Sequence, residues 1–204
     1  MAIELSKLKP HPHNSVELEQ YATEGDLAAF WLLAIDQLDN LEDKSVVDLG
    51  SGNGILGLGT VFLGAKKVLL VEADEEACLI SNQNSEKINQ QFSAQIETIH
   101  ASIGSQELEA PKQTDIVVMN PPWGRQTPRA DRPFLDTSVR CANESIHLLH
   151  GRGAKHIESW AESSGWFAKK WMEVDLPMPP IYSHHTKKRS TTEAAMWWIK
   201  RSAN

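Results

Sequence analysis

The strongest constraint on the fold is a short apolar run, Ser45-Val46-Val47-Asp48-Leu49, that passes directly into Gly50-Ser51-Gly52-Asn53-Gly54, with further glycines at 57 and 59. A β-branched run closed by glycine reads as a buried strand, and the glycines let the chain turn sharply into a helix reaching about Leu63. The same rhythm continues downstream. Strands are expected at Lys67–Val71, Ala94–His100 and Asp115–Met119, with a helix at about Glu75–Asn89 between the first two. A helix at Phe134–Glu144, a strand at Ser145–Leu149 and a helix at Ala154–Ser163 follow, and then strands near Ala168–Val174 and Glu193–Lys200 with no helix between them. Alternation of this kind implies an α/β fold: a doubly wound, seven-stranded, mostly parallel sheet with helices on both faces. Only the last two strands, an antiparallel pair at one edge, break the pattern.

Upstream of the first strand, Leu27, Ala28, Phe30, Trp31, Leu32, Ala34, Ile35 and Leu38 recur at helical spacing, so a helical extension is expected at about 14–41. With 204 residues, one domain spanning 1–204 can bury a sizeable core. There is no apolar run of transmembrane length and no basic-then-apolar leader, so a soluble, cytoplasmic protein without a membrane segment is expected. Cys78 and Cys141 stand far apart, and His11, His13, His184 and His185 have no thiolate or carboxylate neighbour at ligand spacing, so neither a disulfide nor a metal is expected. The net charge of −7 argues against a surface that binds nucleic acid everywhere. Two local basic groups remain: Arg125, Arg129 and Arg132, and Lys187, Lys188 and Arg189 near the C-terminus.

In an open α/β sheet the ligand crevice lies beyond the carboxyl ends of the strands. Gly50 and Gly52 stand there, where a Cβ would occupy the space a nucleoside needs. Glu72, about 20 residues beyond the glycine turn, is placed to accept hydrogen bonds from two ribose hydroxyls. Gly52, Gly54 and Gly57 also satisfy the dinucleotide pattern by letter, which is a weak match. Asp48 discriminates between the two, since a carboxylate compensates the ammonium of an amino-acid tail and repels a pyrophosphate.

The fourth strand ends in Asn120-Pro121-Pro122-Trp123. An aromatic amine is a poor nucleophile because its lone pair is delocalised into the ring. Two acceptors, the Asn120 side-chain oxygen and the Pro121 carbonyl, can each take one N–H and turn that lone pair toward an electrophile. The prolines stiffen the loop and add no competing amide donors. Trp123 supplies a flat surface for an extruded base.

Leu18-Glu19-Gln20-Tyr21-Ala22-Thr23, Asp48-Leu49-Gly50-Ser51-Gly52-Asn53-Gly54, Asn120-Pro121-Pro122-Trp123-Gly124 and Tyr182-Ser183-His184-His185-Thr186-Lys187-Lys188 together resemble the small-subunit ribosomal RNA adenine-N6 methyltransferases of the methyltransferase-like-five type. These are class I, Rossmann-like, S-adenosylmethionine-dependent enzymes. The resemblance spans nearly the whole chain. It implies that Gln20, Tyr21, Thr23, Asp48, Gly50, Gly52 and Glu72 line the S-adenosyl-L-methionine pocket and that Asn120, Pro121, Pro122 and Trp123 hold the target adenine. It further implies that Arg125, His184, Lys187, Lys188 and Arg189 contact the ribosomal RNA, and that a small zinc-binding activator subunit covers an exposed strand edge. Two positions depart from the family. Ser102 stands where an Asp often binds the cofactor adenine, and Arg125 follows the loop where Lys is usual. Other readings keep the same machinery: a protein glutamine amide presents the same two N–H donors, and a cofactor-binding module need not be active.

Overall fold

The structure is a computed structural model, which describes residues 1–12, 23, 25–104, 113–124, 127–177 and 191–202. In chain order the elements are α1 (Ala2–Leu5), α2 (Gly25–Asp39), β1 (Ser45–Leu49), α3 (Ile55–Val61), β2 (Lys67–Glu72), α4 (Glu75–Asn89), β3 (Gln95–His100), β4 (Thr114–Met119), α5 (Arg132–Cys141), β5 (Ala142–Gly151), α6 (His156–Ser163), β6 (Trp166–Pro177) and β7 (Thr191–Arg201). The strands form one seven-stranded sheet in the order β3-β2-β1-β4-β5-β7-β6. Strands β1 to β5 run parallel, whereas β7 is antiparallel to both β5 and β6.

Residue-by-residue alternation divides the core into two layers. Val46, Val68, Leu70, Ile116 and Val118 face a cluster built on Leu5, Trp31, Leu32, Ile35 and Leu58. Val47, Leu49, Val71, Val117 and Met119 face the other, with Leu135, Ile146, Ile157, Trp160 and Trp197. Side chains of successive strand residues point to opposite faces, so these near-continuous apolar strands serve both layers at once. Asp48 lies between Val47 and Leu49, on the α3 side, and is the charged exception.

Winding reverses between β1 and β4, because the chain runs outward from β1 through β2 to β3 and then returns to β4 on the other flank. That switch sets the Gly50 loop between Glu72 at the end of β2 and Asn120 at the end of β4. The α2 face of the sheet carries a buried polar cluster beside β5 and β7. Asp39, at the end of α2, accepts from His147 Nε2 at 2.7 Å, Trp198 Nε1 at 2.8 Å and Lys200 Nζ at 3.0 Å.

Several boundaries differ from the sequence expectations. Of the N-terminal helical extension expected at about 14–41, the structure describes helix α2 from Gly25 to Asp39, and residues 14–22 and 24 lie outside the described residues. Helix α5 ends at Cys141, three residues before the expected end, because Ala142 already pairs with Thr114 across a bulged start of β5. The antiparallel pair lies at one edge of the sheet as expected, with β7 against β5 and β6 outermost. Short α1 was not expected at all; its Leu5 is fully buried in the α2 layer. No helix among the described residues is long and apolar enough to cross a membrane.

Candidate active site

The glycine loop takes its shape from positive φ angles of 74°, 55° and 84° at Gly50, Gly52 and Gly54, a region that residues with a Cβ avoid. Its backbone is held from β2: Gly50 N and Ser51 N both donate to Val71 O, at 2.8 and 3.0 Å. Close neighbours fill the space a side chain would need. A Cβ on Gly50 would lie 2.8 Å from Phe134, and one on Gly52 would lie 3.0 Å from His11.

Glu72 is nearly buried and uses both carboxylate oxygens on backbone donors. Oε2 accepts from Gly52 N at 2.8 Å, while Oε1 accepts from Ala73 N at 2.8 Å and Asp74 N at 3.0 Å. One carboxylate therefore ties the end of β2 to the glycine loop. Asp48 is 1% exposed, and its Oδ2 accepts from Gly57 N at 2.8 Å within the first turns of α3. Its other oxygen, Oδ1, is buried without a hydrogen-bond partner. Burial pushes the Asp48 carboxyl up from the usual 3.8 to about 7; the Gly57 N–H pulls it back in part, and the neighbouring Glu72 carboxylate adds to the rise. A buried acceptor with no donor, next to a loop in which three of five residues are glycine, is a feature that a cationic ligand can complete.

On the other flank, Asn120 is half-buried at the mouth of β4. Its Nδ2 donates to Thr23 Oγ1 at 3.4 Å, and its Oδ1 accepts from Trp123 Nε1 at 3.3 Å. Pro121 is buried and Pro122 half-buried. Trp123 is 7% exposed; its ring stacks on His150, with centroids 6.0 Å apart and planes 25° from parallel, and Gly151 packs close behind it. Ser102 is exposed just beyond β3, where Ala101 N donates to Glu72 O at 2.8 Å.

Of the residues singled out in the sequence, the structure thus gathers Asp48, Gly50, Gly52 and Glu72 around the glycine loop, and Thr23, Asn120, Pro121, Pro122 and Trp123 around the end of β4. Thr23 falls on the Asn120 side of the crevice. Gln20, Tyr21, Arg125, His184, Lys187, Lys188 and Arg189 lie outside the described residues. Sequence reasoning missed two groups. One is the segment around Lys9, whose carbonyl accepts from Asn53 at 3.0 Å and Asn84 at 3.1 Å and so buttresses the loop from outside. The other is a trio behind Trp123: Asp131 Oδ2 accepts from His150 Nε2 at 3.2 Å and His156 Nε2 at 2.5 Å. Nothing in the spacing of 131, 150 and 156 signals that meeting, since they sit on three elements.

The sheet order, the glycine loop over β1 and the acidic end of β2 define the class I methyltransferase fold. ChlM, the magnesium protoporphyrin IX methyltransferase of Synechocystis solved with bound S-adenosylmethionine, shares that fold with a TM-score of 0.63 over 87% of this chain and 77% of its own, at 16% identity. The family model of ribosomal protein L11 methyltransferase (PrmA) matches residues 28–121, the half that carries the glycine loop and Glu72. Similarity to two other proteins runs through most of the chain. The crystal structure of PH1948 from Pyrococcus horikoshii matches with a TM-score of 0.83 and 30% identity, covering 99% of this chain and 97% of that one. The rRNA N(6)-adenosine-methyltransferase METTL5 of Danio rerio is 31% identical over 176 residues, 84% of this chain and 83% of the relative. The chain belongs to the METTL5 family of methyltransferases.

Proposed function

We propose that this protein transfers the methyl group of S-adenosylmethionine to N6 of an adenine in ribosomal RNA, specifically that of the small subunit. The observation that carries the reading is the Asn120 carboxamide, fixed at the end of β4 beside the glycine loop by Thr23 and Trp123. In this reading Asp48, Gly50, Gly52 and Glu72 hold the cofactor, together with Gln20, Tyr21, Thr23 and Ser102. Gly50 and Gly52 admit the nucleoside, Glu72 takes the ribose hydroxyls, and the orphan Oδ1 of Asp48 answers the ammonium, directly or through water. S-adenosylmethionine supplies an electrophilic methyl group, so the protein needs no general base to start the reaction.

What the residues of this chain contribute is position. An amide oxygen carries two lone pairs, so Asn120 Oδ1, which accepts from the Trp123 indole, is of a type that can also accept an adenine N–H. The Pro121 carbonyl takes the other N–H, and together they aim the nitrogen lone pair and stabilise the cation as it forms. Trp123, backed by His150, borders the base as a wall of the pocket instead of standing as an open platform. Arg125, His184, Lys187, Lys188 and Arg189 supply phosphate contacts on the RNA, concentrating positive charge that the chain as a whole lacks. The outer edge of β3, where the sheet ends, is the place we propose for a small zinc-binding activator subunit to add a strand.

Asn120→Ala tests this reading. Methyl transfer to RNA should fall by about a hundredfold or more, while S-adenosylmethionine affinity measured by calorimetry stays near that of the wild type. Unchanged turnover would remove Asn120 from the chemistry.

A further inference from the structure

Three residues that touch no substrate in the reading above converge behind Trp123. Asp131 stands at the N-cap of α5, His150 at the end of β5 and His156 at the start of α6. Asp131 and His150 are almost fully buried, while His156 is about half exposed and borders a cavity of about 590 Å3 that Trp123 also lines. An ionised carboxylate only accepts, so both imidazoles must donate to Asp131 through Nε2–H. For His150 this fixes the tautomer. Its Nδ1 is buried without a partner, tolerable as a bare acceptor but costly as an orphan N–H. Burial works to raise the Asp131 carboxyl, but the hydrogen bonds from His150 and His156 hold it below the ordinary range, so the acceptor stays charged.

We propose that Asp131, His150 and His156 form a positioning relay that sets the Trp123 ring and, through its Nε1–H, the orientation of the Asn120 carboxamide. Each link is a contact in the structure: His156 and His150 grip Asp131, His150 stacks on Trp123, and Trp123 donates to Asn120 Oδ1. An amide free to flip would present Nδ2 where the amine needs an acceptor. The indole N–H opposes the flip alongside the Thr23 hydroxyl, and its share depends on a held ring; His150 on one side with Gly151 close by does the holding. The inference rests on the reading of Asn120 as the acceptor of the amine, and it makes His150 and Asp131 positioning residues that touch no substrate.

Two measurements separate the relay from that reading. In the full chain labelled with [15N]tryptophan, the Trp123 indole resonance is identified by its loss in Trp123→Phe. Asp131→Asn should shift that resonance and leave the other indole signals largely in place; an unmoved signal overturns the relay whatever the substrate. His156→Ala, altered at the half-exposed rim, should shift it in the same direction and serves where Asp131→Asn fails to fold. Transfer kinetics supply the second arm. Asp131→Asn should lower kcat about ten- to a hundredfold, as misplacement on the ångström scale does, with KM for RNA and cofactor affinity close to wild type. Placed in the Trp123→Phe background it should cost little more, because its path runs through the indole; independent, multiplying losses overturn the proposal. A shifted resonance without RNA methylation in any variant supports the relay and counts against the RNA reading alone. A resonance that moves on adding a chelator would overturn the relay in favour of a transition-metal ion on the same three groups.

Discussion

Asp48 is expected to make the unliganded protein lose stability as pH rises through neutrality. Its carboxyl titrates near 7 in the fold, against about 3.9 for an unfolded aspartate. Between those values the folded protein binds more protons than the unfolded chain, so this residue's contribution falls with increasing pH. Integrated from about pH 5 to about pH 8, the loss is roughly 2–3 kcal/mol, about two-thirds of the roughly 4 kcal/mol that a shift of about three units at 1.36 kcal/mol each can give. Asn at position 48 keeps the volume and an acceptor for Gly57 N but cannot titrate. Urea unfolding of wild type and Asp48→Asn at the two pH values isolates the effect of position 48, including its coupling to Glu72. The variant should gain that amount relative to wild type at the higher pH. Parallel profiles would refute the argument, because they would mean that Asp48 ionises as easily inside the fold as outside. The same linkage predicts proton release when S-adenosylmethionine binds below neutral pH, visible by calorimetry in buffers of different ionisation enthalpy.

Two further predictions concern the frame around the site. Gly57→Ala should destabilise by about 1–3 kcal/mol in urea unfolding, since a Cβ there would meet Leu70 at 2.4 Å and the Asp48 Cβ at 3.0 Å; wild-type stability would mean that α3 can lift from the sheet freely. Burial lowers the His147 pKa, so the ring is neutral near pH 7, and Asp39→Ala should cost about 1–3 kcal/mol by leaving the His147 and Trp198 N–H donors without an acceptor. Although burial works to raise it, donors from His147, Ser145 and Lys200 hold Asp39 well below the usual carboxylate range. Its contribution is therefore present above about pH 4 and lost as pH falls further, so the variant should be less sensitive to acid than wild type.

The sheet was legible because each strand is a short apolar run flanked by turn residues, and β1 with its glycines could hardly be anything else. Ends were harder to read. Cys141 gives way to strand because Ala142 finds a partner in Thr114, a pairing between distant segments that local periodicity does not record. The interior place of β7 is likewise a tertiary outcome: two strands in succession announce a hairpin but not which one meets β5. For the site, Asp48, Gly50, Glu72 and Asn120 could be named because motif and strand end coincide. The unpartnered oxygen of Asp48, the Lys9 buttress and the Asp131–His150–His156 trio could not, since each depends on residues brought together from separate elements.

The most direct test of the central claim is transfer of labelled methyl from S-adenosylmethionine to small ribosomal subunits, purified rRNA, DNA and total protein in parallel, with nucleoside analysis of the products. Label is expected in N6-methyladenosine from small-subunit rRNA and should be lost in Asn120→Ala. Label confined to protein or DNA, or to another nucleoside, would contradict it.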